Sequence, residues 1–378
     1  MQWLSWVLFL LILSGPFSVE AHERYPEGDP RGLLRGRLSL TAAEVRDIGQ
    51  GKVVIKILNG GRKQELALLG IARINVPPDF FAARYGKDGM CIETASARRK
   101  GQFSHRPVLD DLSGLSLPLD ELKELSRCRS TDCKVKADGT LMEKFRPLDP
   151  SAPGFRERGN RIIREAMVAY VRKYLTRGDG ALIEYCDKRT LIRAKDEMED
   201  MIRCSSLLRD LAPELQAYLK EYPRRGSRDI EDLLYWTFES FDGRSLRPVF
   251  SIHHLARFSP PNPSRGMIVA SKQIYATHYF EVALGLTFIL KDSRKKETGG
   301  LYLIHLNRSR IDILRELPSF LAKRLFERVQ GLLDRKMVAL KKSLEEDFKI
   351  TTRMAGIHYP AFQPGPGETC PPFIMPPN

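Results

Sequence analysis

Complete catalytic signatures are missing from this 378-residue chain. It has no G-x-S-x-G elbow and no Ser beside a His in an elbow-like context, which removes the serine-nucleophile reading. No glycine-rich loop cradles a phosphate. There is no C-x-x-C, against thioredoxin-like chemistry, and no C-x-x-C-H, so covalent haem is not indicated. Cysteine is scarce: six residues in a chain of this size cannot make a disulfide scaffold, though they can make staples. Cys128 and Cys133 form the best pair, because CRSTDC places Ser-Thr-Asp turn formers between two sulfurs that can meet across a short loop. Cys91, Cys186, Cys204 and Cys370 allow three further pairings, and nothing in the sequence selects among them. A C-x4-C without a second Cys/His pair at ligand spacing is no zinc set, so neither metal nor cofactor is expected.

Long apolar runs are also missing, with one exception. Trp3 to Ser14 (WLSWVLFLLILS) is apolar, is broken by Gly15-Pro16, and ends at Val19-Glu20-Ala21. That is the core and small-residue end of a secretory leader cut after Ala21, although no Lys or Arg precedes it. It is shorter than the about 20 residues of a membrane span. An uncleaved anchor is the alternative. Either reading places the remaining chain outside the cytoplasm, in the periplasm or secreted.

What is present is apolar material for a sizeable core (42%) and an excess of basic charge, +14. That charge suits anionic surroundings such as an envelope polymer or membrane surface. Nucleic acid is set aside, because export removes the chain from it and the basic residues are scattered. RRK at 98–100, RR at 224–225, RKK at 294–296 and KK at 341–342 read as solvated faces and loops. Oligomeric state is not legible.

Along the chain, 22–37 is a polar lead-in, and SLTAAEVRDIGQGK carries Ser/Thr caps ahead of a short helix closed by Gly51. KVVIKIL (52–58) and ELALLGIARINV (65–76) read as a hairpin around Asn59-Gly60, with Pro77-Pro78-Asp79 starting a helix. The segment 88–155, which holds three of the cysteines, is loop-like around a short helix carrying Leu122 and Leu125. Residues 156–222 are helical by pattern, with Ile163, Met167, Tyr170 and Tyr174 at three- and four-residue steps. Strand-rich runs follow at 247–258, 267–290 and 300–309, an antiparallel meander. A long amphipathic helix from Pro318 to about Phe348 carries Phe326, Val329, Leu333, Met337, Leu340 and Leu344 as its apolar stripe. From 355 to 378 the chain is a Pro-rich tail. The expected class is α+β: a curved antiparallel sheet packed on a long C-terminal helix, with a helical insertion.

This order, with the strand-to-helix step IARINVPPDFFAA, resembles the helix-grip fold of START-like lipid-transfer and cyclase-type proteins. The resemblance implies one domain over 38–350, with a cavity between sheet and last helix. The segments YWTFESF, KQIYATHYF and LNRSRID are similar to a bacterial family of exported proteins of unassigned function, which implies no chemistry.

Isolated polar residues interrupt the apolar strands. Alternation puts His254 on a face with Phe250, Ile252, Ala256 and Phe258, and His278 on one with Ile274, Ala276 and Phe280. His305 and Asn307 alternate likewise with Leu301 and Leu303. Glu239 lies just upstream, and Arg308 is placed to pair with Asp312. A half-buried histidine bonded to a carbonyl or Tyr is the plainest role for each. The sharper expectation is an exported protein that binds an apolar or amphipathic, lipid-like molecule, with His254, His278, Tyr275, Glu239 and Arg308 as its polar contacts. Two rivals stand beside it: a basic envelope interaction module without a pocket, and a metal-dependent or His-based hydrolase using His254, His278 and Glu239.

Overall fold

The β-branched runs pair as antiparallel strands, and their alternation decides which residues meet which layer. The computed structural model describes residues 36, 38–58, 60, 62–85, 97–240, 246–259, 266–292 and 299–354. The leader, the lead-in apart from residue 36, Cys91, Cys370, the RKK run and the Pro-rich tail lie outside the described residues.

One eight-stranded sheet carries the molecule. Its strands are β1 (Val54–Leu58), β2 (Glu65–Ile74), β3 (Ala97–Gln102), β6 (Ile230–Glu239), β7 (Val249–Phe258), β8 (Gly266–Ala276), β9 (Phe280–Lys291) and β10 (Leu301–Ile311). They lie in the order β1-β2-β10-β9-β8-β7-β6-β3, every neighbour antiparallel. Two short strands, β4 (Glu184–Tyr185) and β5 (Ile192–Arg193), pair apart from it. The sheet is curved, and the long C-terminal helix packs against it.

The helices are α1 (Ala42–Gly49), α2 (Pro78–Tyr85), α3 (Leu119–Arg127), α4 (Gly139–Phe145), α5 (Phe155–Arg177), α6 (Ala194–Arg203), α7 (Ser206–Leu211), α8 (Pro213–Glu221) and α9 (Ser319–Met354). Thr41 and Glu44 form a capping box that starts α1, and Gly51 (φ 88°) takes the left-handed turn just beyond it. Helices α3–α8 form a layer on one face of the sheet, burying Ile163, Met167, Tyr174, Leu208, Leu215 and Leu219 against strand residues such as Ile252, Ile274 and Phe288. The opposite face belongs to α9 and α2, through Leu333, Met337, Leu340, Leu344, Phe80 and Phe81.

Three readings need correction. The run 267–290 is not one strand but the hairpin β8–β9, turned at Thr277–Tyr279 by Tyr279 in the left-handed region (φ 63°). No Gly, Pro or Asn marks that turn, so composition hides it. RRK at 98–100 is not a loop but part of the edge strand β3, with Lys100 exposed. There Arg99 donates to Gly114 O and Ser116 O and lies 4.3 Å over the Phe238 ring. Basic side chains of this kind are a common way to blunt a sheet edge. Arg308 does not pair with Asp312: Arg308 binds Glu65, while Asp312 faces Lys136 and Lys188.

Candidate functional site

Side-chain size falls along the α9-facing side of the sheet, and that gradient opens a cavity. One cross-strand row, Ala72–Leu303–Ile289–Met267, is mostly large and packs solidly in the same core as Met337, Leu340 and Leu344. The next row is Gly70–His305–Thr287–Val269. Beyond it come Leu68–Asn307–Gly285–Ser271 and Leu66–Ser309–Ala283–Gln273–His253. Leu68 and Leu66 keep bulk at β2, whereas Gly285, Ala283, Ser271 and Ser309 leave space under the helix. A cavity of about 660 Å³ remains between them and α9. That volume lies within the range of small-molecule sites, about 300–1,000 Å³.

The helix contributes Leu325, Arg328, Val329, Leu332, Leu333 and Lys336, one face by their spacing. Leu246, Val249, Phe280, Ile311, Ile313 and Leu317 add apolar wall. Farther along, α9 is fixed beside β1 and β2. Gln330 donates to Ile55 O, Lys341 to Arg73 O, and the Asn75 amide groups to Glu345. Gly70 admits the Met337 thioether, since a Cβ there would lie 2.2 Å from its sulfur.

On the sheet side the polar wall carries one acidic residue, Glu239, and is otherwise made of His, Gln, Asn and Ser. His253 stacks on Tyr235 (4.8 Å between rings), and burial pushes its imidazole down to about 3. His305 shares a 2.9 Å hydrogen bond with Thr287; burial, with the Lys336 charge adding, pushes it down to about 4. Both rings are therefore neutral near pH 7. Gln273 Nε2 donates to Ser251 Oγ at 3.0 Å, whereas its Oε1 is buried without a partner. Ser309 Oγ donates to Asn307 Oδ1 at 2.7 Å. Glu239 lines the cavity at the end of β6; burial raises its carboxyl, and Lys336 partly opposes that.

Of the residues expected at the site, the structure brings only Glu239 to this cavity. His254 points into the helical layer, fully buried, with Nδ1 2.8 Å from Tyr174 Oη and Nε2 3.1 Å from Asp232. Burial lowers His254, against the pull of Asp232. Tyr275 donates to Lys136 O from the same layer. His278, in the β8–β9 turn, shares a 2.8 Å bond with Glu121 of α3, which Arg247 also reaches. Arg308 donates to Glu65 and to Met201 O. His254, His278 and Glu239 therefore do not assemble, and α9 faces the strands on the side away from His254.

Sequence reasoning passed over His253, Gln273, Ser251, Ser271 and the Gly285–Ala283 pair. The readable signal was small or polar residues at alternate positions of three successive strands. Among the described residues, no group of three or more His, Cys, Asp or Glu is arranged to hold a metal ion. Cys128 and Cys133 are disulfide-bonded across the turn at the end of α3, Cα atoms 4.6 Å apart, and Cys186 and Cys204 are free. No family model, no curated protein and no solved structure matches this chain, so the site is read from its own geometry.

Proposed function

We propose that this chain is an exported carrier that holds an apolar or amphipathic, lipid-like molecule between the sheet and α9. The observation that carries the reading is the cavity of about 660 Å³, mostly apolar, bounded by one helix face and the short side chains of three central strands. Buried strand faces ordinarily fill such space with Leu, Ile or Phe, because voids forfeit packing contacts. Here the opposite face of the same strands is filled in that way. The helix-grip-like order of elements supports the reading, as does the basic charge of +14, which suits transfer at an anionic membrane or envelope surface. The apolar segment at residues 3–14 supports export.

The test is organic extraction of protein purified from its native compartment, followed by mass spectrometry. An apolar compound near one per chain is expected. Protein that is empty, and that also fails to take up any of a panel of radiolabelled lipids from vesicles, would overturn the proposal.

A further inference from the structure

We infer that the cavity takes its ligand polar end first, against the sheet, and that this end is an uncharged hydroxyl. This rests on the carrier reading above. Gln273 is 7% exposed, lines the cavity, and leaves one end of its amide buried and unpaired. An unpaired buried polar group of this kind costs stability and calls for a partner. A rotation about the soft terminal torsion of Gln273 turns that end to an arriving ligand. A hydroxyl both donates and accepts, so it serves whichever way round the amide sits. Next to Gln273 in the cross-strand row is His253, with Ser251 bonded to the amide itself.

No cation projects from this part of the wall. The cations that line the cavity, Arg328, Arg335 and Lys336, all come from the helix, and Lys336 acts on Glu239 and His305. A carboxylate or phosphate at Gln273 would thus be desolvated among neutral groups, which is strongly unfavourable. Arg328 and Arg335, exposed on α9, offer an anionic head its alternative place at the cavity edge. The two orientations make opposite predictions. A head-out ligand would be an anion held by those arginines; a head-in ligand is a neutral alcohol held by Gln273.

The experiment displaces the neutral fluorescent probe N-phenylnaphthylamine from the purified protein with dodecanol, dodecanoate and dodecane. Dodecanol should bind about tenfold tighter than the other two, as one added buried hydrogen bond allows. Gln273→Leu should erase that preference, bringing dodecanol down to the affinity of dodecane, because the hydrogen-bonding amide is gone. Ser251→Ala, a milder change beside the amide, should weaken the preference and guards against a folding defect in the first variant. Dodecanoate binding as tightly as dodecanol, or a preference that survives in both variants, would overturn the head-in assignment and leave the carrier reading standing. Failure of the protein to bind the probe or any of the three chains would overturn both.

Discussion

The two faces of the central sheet are built from alternate residues of the same strands, yet they obey different rules. Under the helical layer, polar strand residues have dedicated partners: Lys272 with Asp179 and Leu219 O, His254 with Tyr174 and Asp232, Arg310 with Glu197 and Asp200. Of the buried atoms there without a hydrogen-bond partner, Glu65 Oε2 and Arg310 Nε face one another at 3.7 Å, and Asp179 Oδ2 and Ser205 Oγ belong to the helical layer, not to the strands. Under α9 the polar strand residues are uncharged apart from Glu239, and Thr237 Oγ1 and Gln273 Oε1 have no partner. The first face spends its polar groups on holding layers together. The second leaves them available to a guest, a local inconsistency of the kind that marks functional sites.

The contrast is broken most severely at Lys272, which is fully buried. Lys272→Met should cost about 3–5 kcal/mol in urea denaturation, because Asp179 is left as an unpaired buried charge. Adding Asp179→Leu should recover most of that loss, and a small effect of the single change would show that the pair is not needed. Next, the two ends of α9 should respond differently. Leu344→Ala, in the solid part, should cost about 3–4 kcal/mol, and Leu333→Ala, at the cavity wall, about half as much, since the void there already exists. Equal losses would mean that the interface is solid core throughout.

The cavity face should also set part of the acid sensitivity. His305 falls from the ordinary 6.5 to about 4 in the folded chain. The unfolded chain therefore takes up a proton first as pH drops. Stability is full above about 6.5, declines below it, and this contribution is lost by about pH 4, for a total of about 3 kcal/mol. His305→Asn should flatten the slope between pH 6.5 and 4, and unchanged slopes would refute the assignment. The smallest effect belongs to the helical layer. Cys128→Ser opens a loop of sequence separation 5, for which chain entropy predicts about 2 kcal/mol without loss of fold. Peptide mapping that found both thiols free in oxidised protein would remove the link.

Much of the fold was legible because periodicity reports burial directly. The stripe Leu333, Met337, Leu340, Leu344 and the steps Ile163, Met167, Tyr174 announce helices packed on one side, and those residues are buried. CRSTDC placed two sulfurs a turn apart by itself. Strand β6 and edge strand β3 went unread because IEDLLYWTFE and ARRKGQ carry charges where the neighbours, not the alternation, decide pairing. The Thr277–Tyr279 turn, without turn residues, moved His278 off its supposed strand face.

By itself, then, the sequence determined which residues share a face: His254 with Ile252 and Ala256, and His305 with Leu303 and Asn307. It could not determine which face meets the helical layer and which meets α9, since both are apolar enough to be covered. Only the tertiary structure decided that, by setting His253, Ser271, Gly285 and Ser309 side by side under one helix. The physical reason is that alternation is a property of a single strand, whereas a cavity is a deficit of volume summed over several strands whose register no local pattern encodes.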